Sequence, residues 1–295
     1  MARTDTLGHF LTDVADAIRE KKGTTETITA SDFDTEIENL PSGGDVSEYF
    51  GEPLSAFYSI IGNIIKIPTP DLTNVSSLES AFKSAARLTN IPLINTFNVT
   101  NFNSCFTGCS SLTTIPLLDT SKATDMGSMF TNCSHLTTIP LLNTENNTNM
   151  MQMFWRCQNL TAIPLLNTSK VTNMQNCFNS CAKLTSIPQF DTNKVEQMGG
   201  CFTGCNSLTT IPVLDVSSLK SMSYAFRGSL VYTDTTLDNI LQMCSNVTSS
   251  YTSTKTLVNL GFDTSQMKNA YPVSRIQALP HYQDFIDAGW SIGYN

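Results

Sequence analysis

Ile-Pro recurs at 67–68, 91–92, 115–116, 139–140, 163–164, 187–188 and 211–212, always 24 residues apart. Phe82, Phe106, Phe130, Phe154, Phe178, Phe202 and Phe226 keep the same interval, as do Cys109, Cys133, Cys157, Cys181 and Cys205. The unit reads L-T-x-I-P-x-L-(D/N)-T-x-x-V-T-x-M-x-x-(C/M)-F-x-x-C-x-x, without an insertion or deletion. Self-similarity at a fixed period of this size is the mark of a solenoid, in which no unit buries its own apolar face and each is completed by its neighbours. The expected fold is therefore an α/β repeat solenoid, a leucine-rich-repeat-like array of about seven 24-residue rungs.

Within one rung, Leu112, Ile115 and Leu118 recur at every third position, the spacing of a short repeat strand and its turn. Pro116 lacks an N–H and should end the ladder there. Asp119-Thr120 supplies turn chemistry, the short side chain bonding backbone two residues on. Val99, Phe102, Phe106 and Cys109 follow helical spacing, so one or two helical turns are expected, with Thr100, Thr124, Thr148 and Thr172 as N-caps.

The flanks break the period. Residues 1–44 read as a helical attachment module followed by a Pro41-Ser42-Gly43-Gly44 linker, 45–229 as the solenoid, and 230–295 as a helical C-terminal cap containing Leu237, Ile240, Leu241 and Cys244. Only 14% of the 295 residues are charged, and the net charge is −8. An acidic chain without basic clusters is a poor partner for nucleic acid or anionic lipid. No run of about 20 apolar residues suggests a membrane span. The N-terminus lacks an apolar signal core, which implies assembly in a cytoplasm.

The unit CFTGCSSLTTIPLLDTSKATDMGSMF resembles the BspA-like leucine-rich repeats of bacterial surface proteins, over residues 64–229. That resemblance implies adhesion modules without catalytic residues. The segment TLGHFLTDVADAIREKKGTTETITASDFDTEIENLPSGG resembles the N-terminal module of phage tail and baseplate proteins of Gram-positive bacteria, and TLVNLGFDTSQ…YQDFIDAGWSIGY resembles the segment that closes such proteins. Together they imply a virion protein: residues 1–44 joined to tail or baseplate proteins, a solenoid meeting a host-surface glycan or protein, and a homo-oligomer, a trimer by analogy with tail proteins. The alternatives are a purely structural tail component and a bacterial surface adhesin.

Nine cysteines admit core packing, disulfides between rungs, or zinc, because Cys105–Cys109, Cys177–Cys181 and Cys201–Cys205 are spaced one helical turn apart. Met129 and Met153 occupy the first position in the middle rungs, and Met is no structural zinc ligand, so packing is favoured and no metal or cofactor is expected. His9, His135 and His281 sit in no nucleophile motif, and Asp119, Asp191 and Asp215 alternate with Asn95, Asn143 and Asn167 as turn residues, so no enzyme is expected.

Two candidate binding surfaces remain. Thr113, Thr137, Thr161, Thr185 and Thr209, with Thr89, form one outward column that suits a glycan, a protein or ice, or is plain β-propensity on an exposed strand. Beside it runs Leu93, Leu117, Leu141, Leu165, then Gln189 and Val213, one of each Leu-Leu pair being expected to point outward. On the other side, Trp155 stands in register with Lys83, Thr107, Thr131, Asn179, Thr203 and Arg227, and its neighbour Arg156 replaces Gly108 and Asn132. Such a pair offers a hot spot, or a Trp simply lying on adjacent rungs.

Overall fold

The computed structural model describes residues 75–91 and 93–293. The expected N-terminal helices, the linker and the first Ile-Pro rung lie outside the described residues. From Val75 to Ser229 the chain is a solenoid of stacked rungs, and the cross-section repeats every 24 residues.

The rungs contain neither the expected helix nor an extended strand ladder. Val99 to Leu112 is instead a chain of tight turns. The amides of Phe102, Ser104, Phe106 and Gly108 donate to the carbonyls of Asp125, Gly127, Met129 and Thr131 in the next rung, at 2.7–2.9 Å. The intervening amides of Cys105, Thr107 and Cys109 donate three residues back, to Phe102, Ser104 and Phe106. This alternation requires two left-handed residues per rung, four apart: Ser104 and Gly108 (φ 57° and 80°), Ser128 and Asn132 (56° and 60°), Asn176 and Ser180 (54° and 63°). Gly and Asn enter that region at little cost, and no α-helix passes through it. Apolar residues at i, i+3, i+7 and i+10 therefore report a turn spiral of four-residue units, not a helix.

The expected N-caps have another task. Thr124, Thr148 and Thr172 each donate both N–H and Oγ1–H to the carbonyl of the threonine one rung earlier, at 2.8–3.3 Å. Next to them Ser77, Asn101, Asp125, Asn149, Asn173, Gln197 and Ser221 form a column of single parallel β-bridges. The extended side, 113–119, carries one inter-rung backbone bond per rung, as from Thr137 N to Thr113 O at 3.1 Å. A parallel bridge, Ser186–Thr210, extends the pairing by one residue, and the proline two positions further on limits it there.

The core is a set of columns. Phe82 through Phe226 stack rung on rung with centroids 5.4–6.0 Å apart and planes within 15°. Each such pair adds about 0.5–1.5 kcal/mol beyond its area burial. Leu118, Leu142 and Leu166 point inward and are buried, while Leu117, Leu141 and Leu165 point outward. The Asx turns form as expected: Asp119, Asn143, Asn167 and Asp215 each accept the amide two residues on, at 2.9–3.1 Å.

The cap is a broken further rung. Thr233 continues the threonine ladder to Thr209 O, and then helix α1, Asp234–Ser245, interrupts the repeat. Thr233 caps α1 by accepting from Thr236 N, and Leu237, Ile240, Leu241 and Cys244 line its buried face. The ladder resumes where Thr252 donates to Lys220 O and where Tyr224 and Phe226 donate to Asn259 and Leu260. Gly261, at φ 109°, lies where a Cβ would fall 2.7 Å from the backbone of Arg227, so only glycine closes the last rung. Three short helices, α2 (Ser265–Ala270), α3 (Val273–Gln277) and α4 (Tyr282–Asp287), cover the end. They are pinned by the ion pair Arg275–Asp234 at 2.8 Å and by the contact of His281 Nδ1 with an Asp238 carboxylate oxygen at 2.7 Å.

Candidate functional site

The cysteines are structural. All nine are free and buried. Cys109, Cys133, Cys157, Cys181 and Cys205 each donate Sγ–H to the Phe carbonyl of the preceding rung, at 3.0–3.1 Å. This explains a cysteine column better than apolar packing alone: the site is small, dry and faces one unpaired carbonyl lone pair. Burial pushes the Cys109 and Cys205 thiols up to about 12, and the others well above their ordinary value. A reactive thiol needs the opposite shift. Among the described residues no three His, Cys, Asp or Glu are grouped as metal ligands. No described helix is long and apolar enough to cross a membrane. His135 faces Ser110 O at 2.6 Å on the surface, and His281 holds the cap, so the two are far apart in the fold.

The surface columns differ in what they leave free. Thr113, Thr137, Thr161 and Thr185 are exposed and Thr209 half-buried. Their hydroxyls are partly committed: Thr137, Thr161 and Thr209 each donate Oγ1–H to the threonine carbonyl of the previous rung, at 3.2–3.3 Å. What they offer a ligand is an acceptor and a methyl group. The neighbouring leucines are fully free. Leu93 is 74% exposed, and Leu117, Leu141 and Leu165 are 61% exposed each. Leu117 and Leu141 flank an open groove of about 340 Å³ with Asp119 and Asn143 at its edge. Ser121, through its hydroxyl and then its amide, holds the Asp119 carboxyl below the usual range, so the carboxylate serves its own turn. Lys122 lies over the exposed Phe97 ring, 3.8 Å from its centroid, beside the same stripe.

Trp155 and Arg156 are on the turn spiral. Trp155 is half-buried, and the exposed Arg156 guanidinium lies 4.9 Å from its ring centroid. Arg156 occupies one of the two left-handed positions, φ 61°, where other rungs place Gly108, Asn132, Ser180 and Gly204. A long side chain there costs about 1 kcal/mol or more. Trp155 also forgoes a bond made by its register-mates Thr107, Thr131 and Thr203, which donate Oγ1–H to the left-handed residue of the next rung at 2.6–2.7 Å. The threonine and tryptophan surfaces lie on different sides of the rung and do not form one site.

Residues 54–163 and again 148–260 match the family described as "Mycoplasma protein of unknown function, DUF285". The chain belongs to that family. The two matches overlap and together run from residue 54 to 260, well over half of the chain and into the cap. They support the BspA-like reading of the repeats. A leucine-rich repeat protein from Bacteroides ovatus is similar in structure at 16% identity and TM-score 0.28, over 57% of this chain and 53% of that one. An internalin (inlF) from Listeria monocytogenes is similar at 10% identity and TM-score 0.31, over 80% of this chain and 87% of that one. The match spans about half the length of the Bacteroides protein. No curated protein matches the sequence. Residues 1–44 lie outside the family match.

Proposed function

We propose that this chain is a non-enzymatic recognition protein whose extended face docks on a protein at the surface of a bacterial host cell. The observation that carries this reading is the Leu93–Leu117–Leu141–Leu165 stripe, one exposed leucine per stacked rung. Contiguous exposed apolar strips mark interfaces. A protein fits better than a glycan on this face, because the leucines offer no donors and the adjacent threonine hydroxyls donate to their own backbone. A rigid solenoid loses little freedom on binding, so several weak contacts add.

The setting proposed is the distal end of a phage tail or baseplate, with residues 1–44 as the attachment to the particle and trimeric assembly. It rests on the resemblance of the two flanks. The second reading, a bacterial surface adhesin, is favoured by the BspA-like character of the repeats. Particles induced from a lysogen that encodes the chain separate the two: the chain sediments with tails in the first setting and with cell envelopes in the second.

Binding is tested with the labelled full chain on Gram-positive cells before and after protease treatment. The parent should bind untreated cells only, and Leu117→Glu with Leu141→Glu should abolish binding while leaving the melting temperature unchanged. Equal binding by parent and variant would replace this reading with a scaffold role.

A further inference from the structure

The turn-spiral face holds a groove that the extended face lacks. Gly199 and Gly200 occupy positions where neighbouring rungs carry Gln175 and Asn176 on one side, Ser223 and Tyr224 on the other. Their missing side chains leave a trough of about 330 Å³ crossing three rungs. One wall is made of amides, Gln175, Asn176 and Asn179, and Gln197 lies at one end. The opposite wall is Tyr224, 47% exposed, with the Arg227 guanidinium 5.5 Å from its ring centroid. Arg227 is neutralised by Asp263 at 3.1 Å. The trough lies next to the rung of Trp155, and Trp155 and Arg227 are register-mates three rungs apart, about 14 Å at the usual inter-strand spacing.

Several features mark this trough as more than an interruption of the columns. Asn179 Nδ2 donates to Asn176 Oδ1 at 2.9 Å, which fixes both amides, and a Cβ on Gly200 would fall 2.2 Å from that same oxygen. The glycine is thus required for the amide to lean over the floor. Tyr224 sits at a left-handed φ of 58°, a position held by Ser104, Ser128 and Asn176 in other rungs. For a bulky residue this is an outlier, and its half-exposed ring is not repaid by burial.

We propose that this trough, with Trp155 at its far end, binds a short neutral oligosaccharide lying along the solenoid axis. Each amide is both donor and acceptor, as each sugar hydroxyl is, and a row of them matches hydroxyls on successive sugars. The negative face of an aromatic ring takes the partly positive C–H face of a sugar, at Tyr224 and at Trp155. The charge that lines the trough, Arg227, is compensated by Asp263, so the trough itself offers an acidic sugar no partner, and Arg156 lies outside it, over the Trp155 ring. The volume is at the lower end of small-molecule sites, about 300–1,000 Å³, enough for a sugar ring or two in the trough itself. This site is independent of the leucine stripe.

The test uses the full chain with cellotetraose, chitotetraose, maltotetraose and, as a charged comparison, tetragalacturonate, each titrated at millimolar concentrations. Trp155 reports directly, because the other tryptophan, Trp290, is buried in the cap. At least one neutral probe should bind, changing Trp155 fluorescence and giving heat by calorimetry. Gly199→Gln places in this rung the residue that position 175 already carries. Its Cβ would meet nothing closer than 3.6 Å, so the variant folds and fills the trough. Tyr224→Asn substitutes the residue of the equivalent position 176 and relieves the backbone. Both variants should melt at or above the parent temperature and lose about tenfold or more in affinity. Cell binding through the leucine stripe should persist in both, which separates failure of this site from failure of that one. No binding by any neutral probe, binding of tetragalacturonate alone, or undiminished binding by Gly199→Gln and Tyr224→Asn would each overturn the proposal.

Discussion

The two long sides of a rung are made from the same 24 residues yet solve opposite problems. On the turn-spiral side, alternate amides reach the next rung and the rest close turns, so the backbone is committed bond by bond. The Phe and Cys columns pack beneath it, and the thiols complete the carbonyls that the ladder leaves over. On the extended side there is one backbone bond per rung, followed by proline, and the leucines point into solvent. Stability is thus concentrated on one side, which leaves the other side free to vary and to present an apolar strip.

The largest expected effect falls on the committed side. Burial holds the cysteine thiols above the ordinary value of 9.0, about 12 for Cys109 and Cys205, whereas in the unfolded chain they ionise normally. A folded-state pKa above the unfolded one gives stability that is complete below pH 9 and lost as the pH rises toward the folded value. Each thiol should remove up to about 1.4 kcal/mol per pH unit in that window. Urea unfolding followed from pH 8 to 11 should show a steep, summed loss, and Cys→Ala variants should flatten it. A flat profile would mean the thiols ionise in the fold.

Next comes the aromatic column. Phe154→Ala should cost about 3–5 kcal/mol, because the packed rings above and below cannot close the cavity. Its measure is the urea midpoint. A change of similar size from Leu141→Glu on the opposite side would erase the distinction between the two.

Two substitutions should stabilise. Asn147 is fully buried in a column otherwise filled by Val99, Ala123, Val171 and Val195, and its Nδ2 has no partner. Asn147→Val removes that unsatisfied donor and also the Oδ1 that accepts the Asn149 amide at 3.3 Å, so the net gain should be about 1 kcal/mol. Arg156→Gly should gain about 1 kcal/mol by relieving a left-handed arginine, again read from the urea midpoint. A loss in either case would show that the side chain is held by contacts worth more than its strain. The smallest effect belongs to the extended side: Leu141→Glu should shift stability by no more than about 0.5 kcal/mol in the same unfolding measurement.

Much of this comparison was legible in the sequence. The period, the stacked Phe and Cys columns, the inward and outward leucines of each pair, and the Asp/Asn turns follow from spacing and side-chain chemistry. The helix did not form, although Val99, Phe102, Phe106 and Cys109 kept its spacing. A four-residue turn spiral places apolar residues almost as a helix does. The signal that separates them is the recurrence of Ser, Asn and Gly at 104, 108, 128, 132, 176, 180, 200 and 204, residues that tolerate a left-handed backbone. The threonines read as N-caps instead pair across rungs, because no helix start is there to cap. The trough is not legible in the sequence, because it is formed where side chains are absent, at Gly199 and Gly200, between rungs that carry them.

Native-state amide hydrogen exchange of the full chain, resolved by residue across the rungs from 123 to 195, tests the division between the two sides most directly. The amides of Ser128, Phe130, Gln152, Phe154, Asn176 and Phe178, which bond the next rung, should exchange only through global unfolding. Those of Leu141, Leu142, Leu165 and Leu166, which make no inter-rung bond, should exchange orders of magnitude faster while the rungs stay stacked. Equal protection on both sides would contradict the account.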